Sequence, residues 1–258
     1  MKVIGIIPAR FQSSRFPAKM LHPLLGTSLL QRTYECSKKS KTLDQLVIAT
    51  DDMRIFEHAK SFGADVVMTS IDCLNGTERL VDAITRHPEL ADGDIYVNIQ
   101  GDRPCLPAQT IDALVDALRK NPTDLLSTPL SEINDPEELL NPSSVKCVVD
   151  KNGYALYFSR APISYSKTGR GTFYKHVGLY AFRKDFLFEY TRLENTPLML
   201  QEDLEQLKVL EHGHRIRTVV VQEYDLSVDT PEDAIKAEQW IAKQEQNTSL
   251  LLAACSPL

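Results

Sequence analysis

Residues 1–20 read MKVIGIIPARFQSSRFPAKM, and this stretch decides the fold. Val3, Ile4, Ile6 and Ile7 form a short apolar run of the kind made by a strand buried on both faces. The run breaks at Pro8-Ala9, and Arg10, Arg15 and Lys19 follow among small and turn-forming residues. In open α/β sheets, ligands bind at the carboxyl edge of the strands. Three cations just past a first strand therefore point to a pocket for a polyphosphate. The structural alternative is a solvated basic loop. It ranks behind, because the loop is tied directly to a buried strand and because acids suited to phosphate chemistry occur elsewhere.

Working outward, the first half alternates strand-like and helix-like segments, which predicts a parallel sheet covered by helices. Ser28–Lys39, Arg54–Phe62, Glu78–His87 and Pro107–Lys120 read as helices, and Leu46–Ala49, Val66–Met68 and Ile95–Asn98 as strands. Pro107 suits a first helical turn, and Ile111, Leu114, Val115 and Leu118 follow the helical period. The second half changes style. Asp124–Leu130, Ser144–Asp150, Tyr154–Arg160, Tyr174–Phe182 and Ile216–Val221 read as strands, with Asn152-Gly153 as a hairpin turn. Ser166–Thr172 reads as a mobile loop. Leu200–Glu211 reads as one helix, and Thr230-Pro231 opens a last one. Leu250–Cys255 forms an apolar tail to which the sequence assigns no role.

Composition narrows the function classes. The chain has 258 residues, enough for a sizeable core, with 43% apolar and 25% charged residues and a formal net charge of −6. A general nucleic-acid binder would carry a basic excess, so the cationic loop points to a small anionic ligand. Cys36, Cys73, Cys105, Cys147 and Cys255 are scattered and odd in number, which suits reduced thiols. No leader is visible, and no stretch approaches the roughly 20 apolar residues that span a bilayer. A cytoplasmic protein with no membrane contact is expected.

Two acids then stand out. Val97-Asn98-Ile99-Gln100-Gly101-Asp102 places Asp102 after a strand and a glycine, where it can face the cationic loop. Mg²⁺ is usually held by one or two carboxylates together with phosphates. Capping a turn is an equally good use of Asp102 on its own. Asp229 lies between a strand and the last helix. Thr230 already fills the capping position, so Asp229 is available as a second metal ligand. Two acids and three cations at one sheet edge suit nucleotidyl transfer, in which charge on an α-phosphate and on departing pyrophosphate must be neutralised.

The segments PARFQSSRFPAK, NGTER (75–79), VNIQGD, YALYFSRAPI, KHVGLYAF, LEQLKVLEHG and VDTPED resemble the 3-deoxy-manno-octulosonate cytidylyltransferases, or CMP-Kdo synthetases, over roughly residues 1–243. The resemblance implies a Rossmann-like α/β fold of the nucleotide-diphospho-sugar transferase type. Its mixed, mostly parallel sheet would be flanked by helices, with an inserted, smaller β-rich region for sugar binding and dimerisation. The implied divisions are 1–124 for the nucleotide half, 125–215 for the insert, 216–245 for the returning strand and helix, and 246–258 for a tail.

The implied reaction joins CTP and 3-deoxy-D-manno-octulosonate (Kdo) into CMP-Kdo and pyrophosphate for lipopolysaccharide assembly. The implied cofactor is Mg²⁺, held by Asp102 and Asp229, and the implied assembly is a homodimer. Ala9, Arg10, Arg15, Lys19, Gly76, Thr77, Arg79 and Gln100 match nucleotide-contacting positions, with Lys19, Asp102 and Asp229 catalytic. Arg160, His176, Glu205 and Gln206 match sugar-contacting positions, and Glu202 is a weaker candidate. Structural alternatives exist for several: Thr77 as a helix cap, Arg160 as a strand-end surface residue, His176 as a half-buried strand histidine, and Glu205 and Gln206 as a solvated helix face. Arg103, Ala18, Lys175 and Met199 depart from the common pattern. A cytidylyltransferase for another acidic sugar, such as a sialic-acid-like nonulosonate, is the runner-up, and a catalytically silent nucleotide-binding module stands behind it.

Overall fold

A computed structural model describes residues 1–13, 15–169, 171–222 and 226–254; Cys255, part of the tail, and Arg170, within the 166–172 loop, lie outside the described residues. Strand β1 (Val3–Ala9) is followed by a small hairpin, β2 (Pro23–Leu24) and β3 (Thr27–Ser28), and by α1 (Leu29–Ser37). Alternation continues through β4 (Gln45–Thr50), α2 (Met53–Ser61), β5 (Asp65–Met68), α3 (Gly76–Arg86), β6 (Ile95–Asn98) and α4 (Ala108–Lys120). The second half holds β7 (Leu126–Glu132), α5 (Pro136–Leu140), β8 (Lys146–Val149), β9 (Ala155–Ser159), β10 (Tyr174–His176) and β11 (Tyr180–Arg183). It ends with α6 (Lys184–Tyr190), α7 (Pro197–Glu202), α8 (Gln206–Glu211), β12 (Arg217–Val220) and α9 (Pro231–Ala254).

Strand β1 is buried along its whole length and pairs in parallel with β4 on one side and β6 on the other. Its alternation explains the two helical layers. Val3, Ile7 and Ala9 face the cluster built with α1, α2 and α4, while Ile4 and Ile6 face the one built with α3, α6 and α8. The helices start where the sequence supplies caps: Ser28 accepts from the Gln31 N–H, Asp52 from Arg54 and Asn75 from Glu78. Asn75 and Glu78 form a capping box, the Glu78 carboxylate accepting in return from the Leu74 N–H and the Asn75 amide.

The sheet order is β5-β4-β1-β6-β11-β7-β10-β8-β9, with β12 parallel to β7. The sheet is mixed: parallel at β5, β4, β1 and β6, antiparallel where β11 joins β6 and β7. The β-rich stretch expected as a separate insert is hydrogen-bonded into this same sheet through the β10–β7 ladder. A bridge between Tyr154 and Arg217 then curls the β8–β9 hairpin towards β12.

Other local expectations change as well. The single strand expected over Tyr174–Phe182 is two, β10 and β11, broken where Gly178 adopts φ +80°. The single helix over Leu200–Glu211 is two, separated where Asp203 enters the left-handed region at φ 52°. The last helix runs to Ala254, into the stretch read as a tail. Among the described residues no helix is long and apolar enough to cross a membrane.

Candidate active site

The cationic loop and the two acid loops meet at one ammonium group. Lys19 Nζ donates to Asp102 Oδ2 at 2.8 Å, to Asp229 Oδ1 at 3.1 Å and to the Val228 carbonyl at 3.1 Å. Arg15 Nη2 donates to Asp229 Oδ1 at 2.9 Å. The backbone fixes this convergence independently of the side chains, since the Val228 N–H donates to the Asp102 carbonyl at 3.0 Å. A third apolar cluster anchors the loop: Phe16, Leu24 and Leu29 pack with Val228 and with Ala234, Ala237 and Ile241 of α9. Ala18 sits in the left-handed region at φ 54° and turns Lys19 inward. Gly101 is required beside it, because a Cβ there would lie 3.1 Å from the Pro8 carbonyl.

Burial raises the Asp229 carboxyl, but the charge and hydrogen bond of Lys19 and the charge of Arg15 outweigh it, and its pKa lies below the usual range. Thr230 caps α9 as expected, accepting from the Asp233 N–H at 3.3 Å, which leaves Asp229 for the cluster. Among the described residues no group of three or more His, Cys, Asp or Glu is arranged to hold a metal unaided. Two carboxylates on one point, completed by substrate phosphates, nevertheless make the donor set that Mg²⁺ takes.

This cluster forms one wall of a cleft of 390 Å³, lined also by Arg10, the start of α3 (Asn75, Gly76, Arg79), Gln100 and Glu205. A helix N-terminus and several cations on one cleft suit an anion. Arg10 makes no ion pair among the described residues. Arg79 is different: its buried guanidinium donates to Asp51 and Thr69, both at 2.7 Å, so it braces the floor. Ala9, the last residue of β1, is fully buried and does not line the cleft; its neighbour Pro8 does. Thr77 is not the helix cap, a role taken by Asn75, and it is buried behind the cleft.

A second cleft of 230 Å³ adjoins the first and shares Gly76, Gln100 and Glu205 with it. Glu205 and Gln206 line it as expected, with Asn98, Gly178 and Tyr180. Desolvation raises the Glu205 carboxyl despite the hydrogen bond it accepts from Tyr190 at 3.0 Å. Arg160 and His176 line neither cleft. The Arg160 guanidinium donates to the carbonyls of Glu202 (2.8 Å), Pro142 (3.1 Å) and Asp203 (3.2 Å), which ties β9 to the α7–α8 turn and to the segment before β8. Glu202 belongs to the same tie, accepting from Ser159 Oγ and the Arg160 N–H.

His176 is half-buried between the rings of Phe158 and Tyr180. Its Nε2 lies 2.8 Å from Thr128 Oγ1, whose own proton goes to the Leu179 carbonyl, so the histidine is the donor. Desolvation and the charge of Arg103 lower its pKa to about 3. It supports Tyr180 from behind.

The departures have places too. Arg103 reaches Gly178, a lining residue of the second cleft, with Nη2 3.1 Å from where a Cβ would stand. Lys175 pairs with Glu138 at 2.6 Å, and Met199 packs on the core. Cys36, Cys73, Cys105 and Cys147 are free thiols; burial raises all four, Cys105 to about 12. The sequence reading did not single out Asn98, Tyr180 or Tyr190. Asn98 left one signal, a polar residue closing an otherwise apolar strand; Tyr190 left none, because α6 itself was not read.

A family model described as "Cytidylyltransferase" matches residues 4–216. The chain is 50% identical over 247 residues to a 3-deoxy-manno-octulosonate cytidylyltransferase of Protochlamydia amoebophila, covering 94% of this chain and 95% of that protein. It is also 50% identical over 241 residues to the enzyme of the same name from Chlamydia trachomatis serovar L2, covering 93% and 94%. Among solved structures, a CMP:2-keto-3-deoxy-manno-octonic acid synthetase complexed with CTP superposes with TM-score 0.89 at 35% identity, over 95% of this chain and all of that one. A 4-diphosphocytidyl-2C-methyl-D-erythritol synthase from Anaerococcus prevotii, 14% identical over 93% of this chain and 98% of its own, shares the fold with TM-score 0.61. With sequence and architecture in agreement along nearly its whole length, the chain belongs to the 3-deoxy-manno-octulosonate cytidylyltransferases.

Proposed function

We propose that the protein joins CTP to Kdo, releasing pyrophosphate and CMP-Kdo, the activated sugar for lipopolysaccharide assembly. The observation that carries the reading is the pair of adjoining clefts: one lined by cations and a helix N-terminus, the other by polar groups, with Arg103 next to its Gly178. The first suits a triphosphate; the second suits a hydroxylated acid.

The anomeric hydroxyl of the sugar would attack the α-phosphorus of CTP. Its oxygen forms the new bond to phosphorus and loses its proton, the α–β bridging bond breaks, and pyrophosphate departs. Lys19, Arg15 and Arg10 would neutralise charge that builds on the phosphates, and Lys19 would exchange carboxylate for phosphate contacts as CTP enters. Asp102 and Asp229 would hold Mg²⁺, which when bound neutralises phosphate oxygens and orients the nucleophile. The Asn75–Arg79 turn would line the base pocket, with Arg79 and Thr77 supporting it from behind. The reading includes Mg²⁺ dependence, a homodimer and a cytoplasmic site of action, all supported by membership of the family.

Purified protein given CTP, Mg²⁺ and a panel of acidic sugars is expected to release pyrophosphate with Kdo. Turnover with a nonulosonate but not with Kdo would overturn the sugar assignment, and no turnover with any nucleotide would overturn the enzymatic reading.

A further inference from the structure

We propose that Asn98 is a specificity-determining hydrogen-bond acceptor for one hydroxyl of the acceptor sugar and that Gln206 supplies the matching donor. The proposal rests on the reading of the second cleft as the sugar site.

Asn98 closes β6 and is 1% exposed, and Gln206 opens α8 and is 4% exposed; both line the second cleft. Each has one half of its amide spent and the other half unpartnered. Asn98 Nδ2 donates to Thr77 Oγ1 at 3.3 Å, while Asn98 Oδ1 has no hydrogen-bond partner among the described residues. Gln206 Oε1 accepts from the Tyr180 hydroxyl at 3.2 Å, while Gln206 Nε2 has no such partner. Buried polar atoms are normally paired, because leaving one unmade loses its bond to water without replacement. An orphan acceptor and an orphan donor on one cleft complement a sugar hydroxyl or a neighbouring pair of hydroxyls, each of which gives and takes a hydrogen bond.

The bond to Thr77 engages the NH₂ end of Asn98 and leaves its carbonyl end for a ligand. Gly76 leaves the approach open, since a Cβ there would stand 3.6 Å from the Asn98 amide.

The test is kinetic, on the full chain. Pyrophosphate release is measured with Kdo and a set of its mono-deoxy analogues for the wild type, Asn98→Ala and Gln206→Ala; CTP affinity without sugar, by calorimetry, checks the fold. The wild type is expected to lose about tenfold or more in kcat/KM on one analogue, the size of an unmade buried hydrogen bond. Asn98→Ala should lose about as much on Kdo itself. It should keep its CTP affinity and show no added loss on that analogue. Gln206→Ala should likewise lose discrimination at that hydroxyl or its neighbour, and it carries the test if Asn98→Ala does not fold. Unchanged discrimination across the set in the variant that folds would overturn the proposal. Failure of the wild type to use Kdo would overturn the proposed function instead, and the inference with it.

Discussion

At the residue scale, the site depends on one lysine serving two carboxylates. Lys19 is 9% exposed and its contacts come from loops far apart in the chain. Replacing it with Met should leave Asp102 without its cation and Asp229 with Arg15 alone. Solvent reaches Asp229, so the stability loss should be about 2–3 kcal/mol, at or below the low end for a buried pair. CTP-dependent turnover should fall on the order of 100-fold or more. Urea denaturation and pyrophosphate release check the two effects separately. Asp102→Asn keeps the shape and removes the charge; its turnover should collapse while its urea midpoint stays near the wild type's. Activity retained at wild-type level would remove Asp102 from the reaction.

His176 gives a prediction of a different kind. Its folded pKa, about 3, lies below the ordinary value of 6.5, so the fold holds the neutral ring. The neutral ring's contribution is whole above about pH 6.5 and is lost as pH falls towards 3. The loss from this one group approaches about 1.4 kcal/mol per pH unit within that window. His176→Phe keeps the aromatic packing with Phe158 and Tyr180 and should flatten this part of the stability curve. An unchanged slope between pH 6 and 4 would show that the ring titrates freely.

At the element scale, the second cleft exists because two regular elements are interrupted. A continuous strand over 174–183 would keep Tyr180 in an unbroken ladder, whereas the bend at Val177–Leu179 brings Gly178 and Tyr180 to the cleft wall. Gly178→Ala places a Cβ at φ +80°, close to Arg103, and should cost about 1–2 kcal/mol. It should raise the KM for the sugar more than that for CTP. Equal effects on both substrates would show that the bend is only a fold feature. The break at Asp203 works likewise, letting α8 start at Gln206 so that Glu205 and Gln206 point into the cleft. Neither interruption is written locally. One glycine does not oblige a strand to bend, and nothing in LQEDLEQL stops a helix. By contrast, β1, β4, β6, α1, α3 and α4 were legible because burial on a fixed period, together with caps at Ser28 and a proline at 107, comes from neighbours along the chain.

At the scale of the whole molecule, the last helix completes the first loop. Ala234, Ala237 and Ile241 of α9 cover Phe16, Leu24 and Leu29, so residues more than 200 positions away hold the Lys19 turn in place. Ala237→Asp, fully buried and outside both clefts, would bury an unpaired charge and should cost about 3 kcal/mol or more. It should weaken CTP binding along with stability, by calorimetry and thermal melting. Wild-type CTP affinity in a destabilised protein would show that the loop holds itself. The β-rich region is integrated in the same way, as a continuation of one sheet that brings the second cleft against the first.

By itself the sequence determined which charged side chains meet at the first cleft: Arg10, Arg15, Lys19, Asp102 and Asp229, after the parallel strands of the first half. Those assignments rest on residue type and local period, which a linear reading can see. Only the tertiary structure decided how the remaining polar groups are used. Arg160 and Arg79 donate to the protein's own oxygens, His176 stands behind Tyr180, and Asn98 keeps an acceptor in reserve. The reason is that hydrogen-bonding capacity is shared among neighbours that are distant in the chain, and no local pattern records which of them has already claimed it.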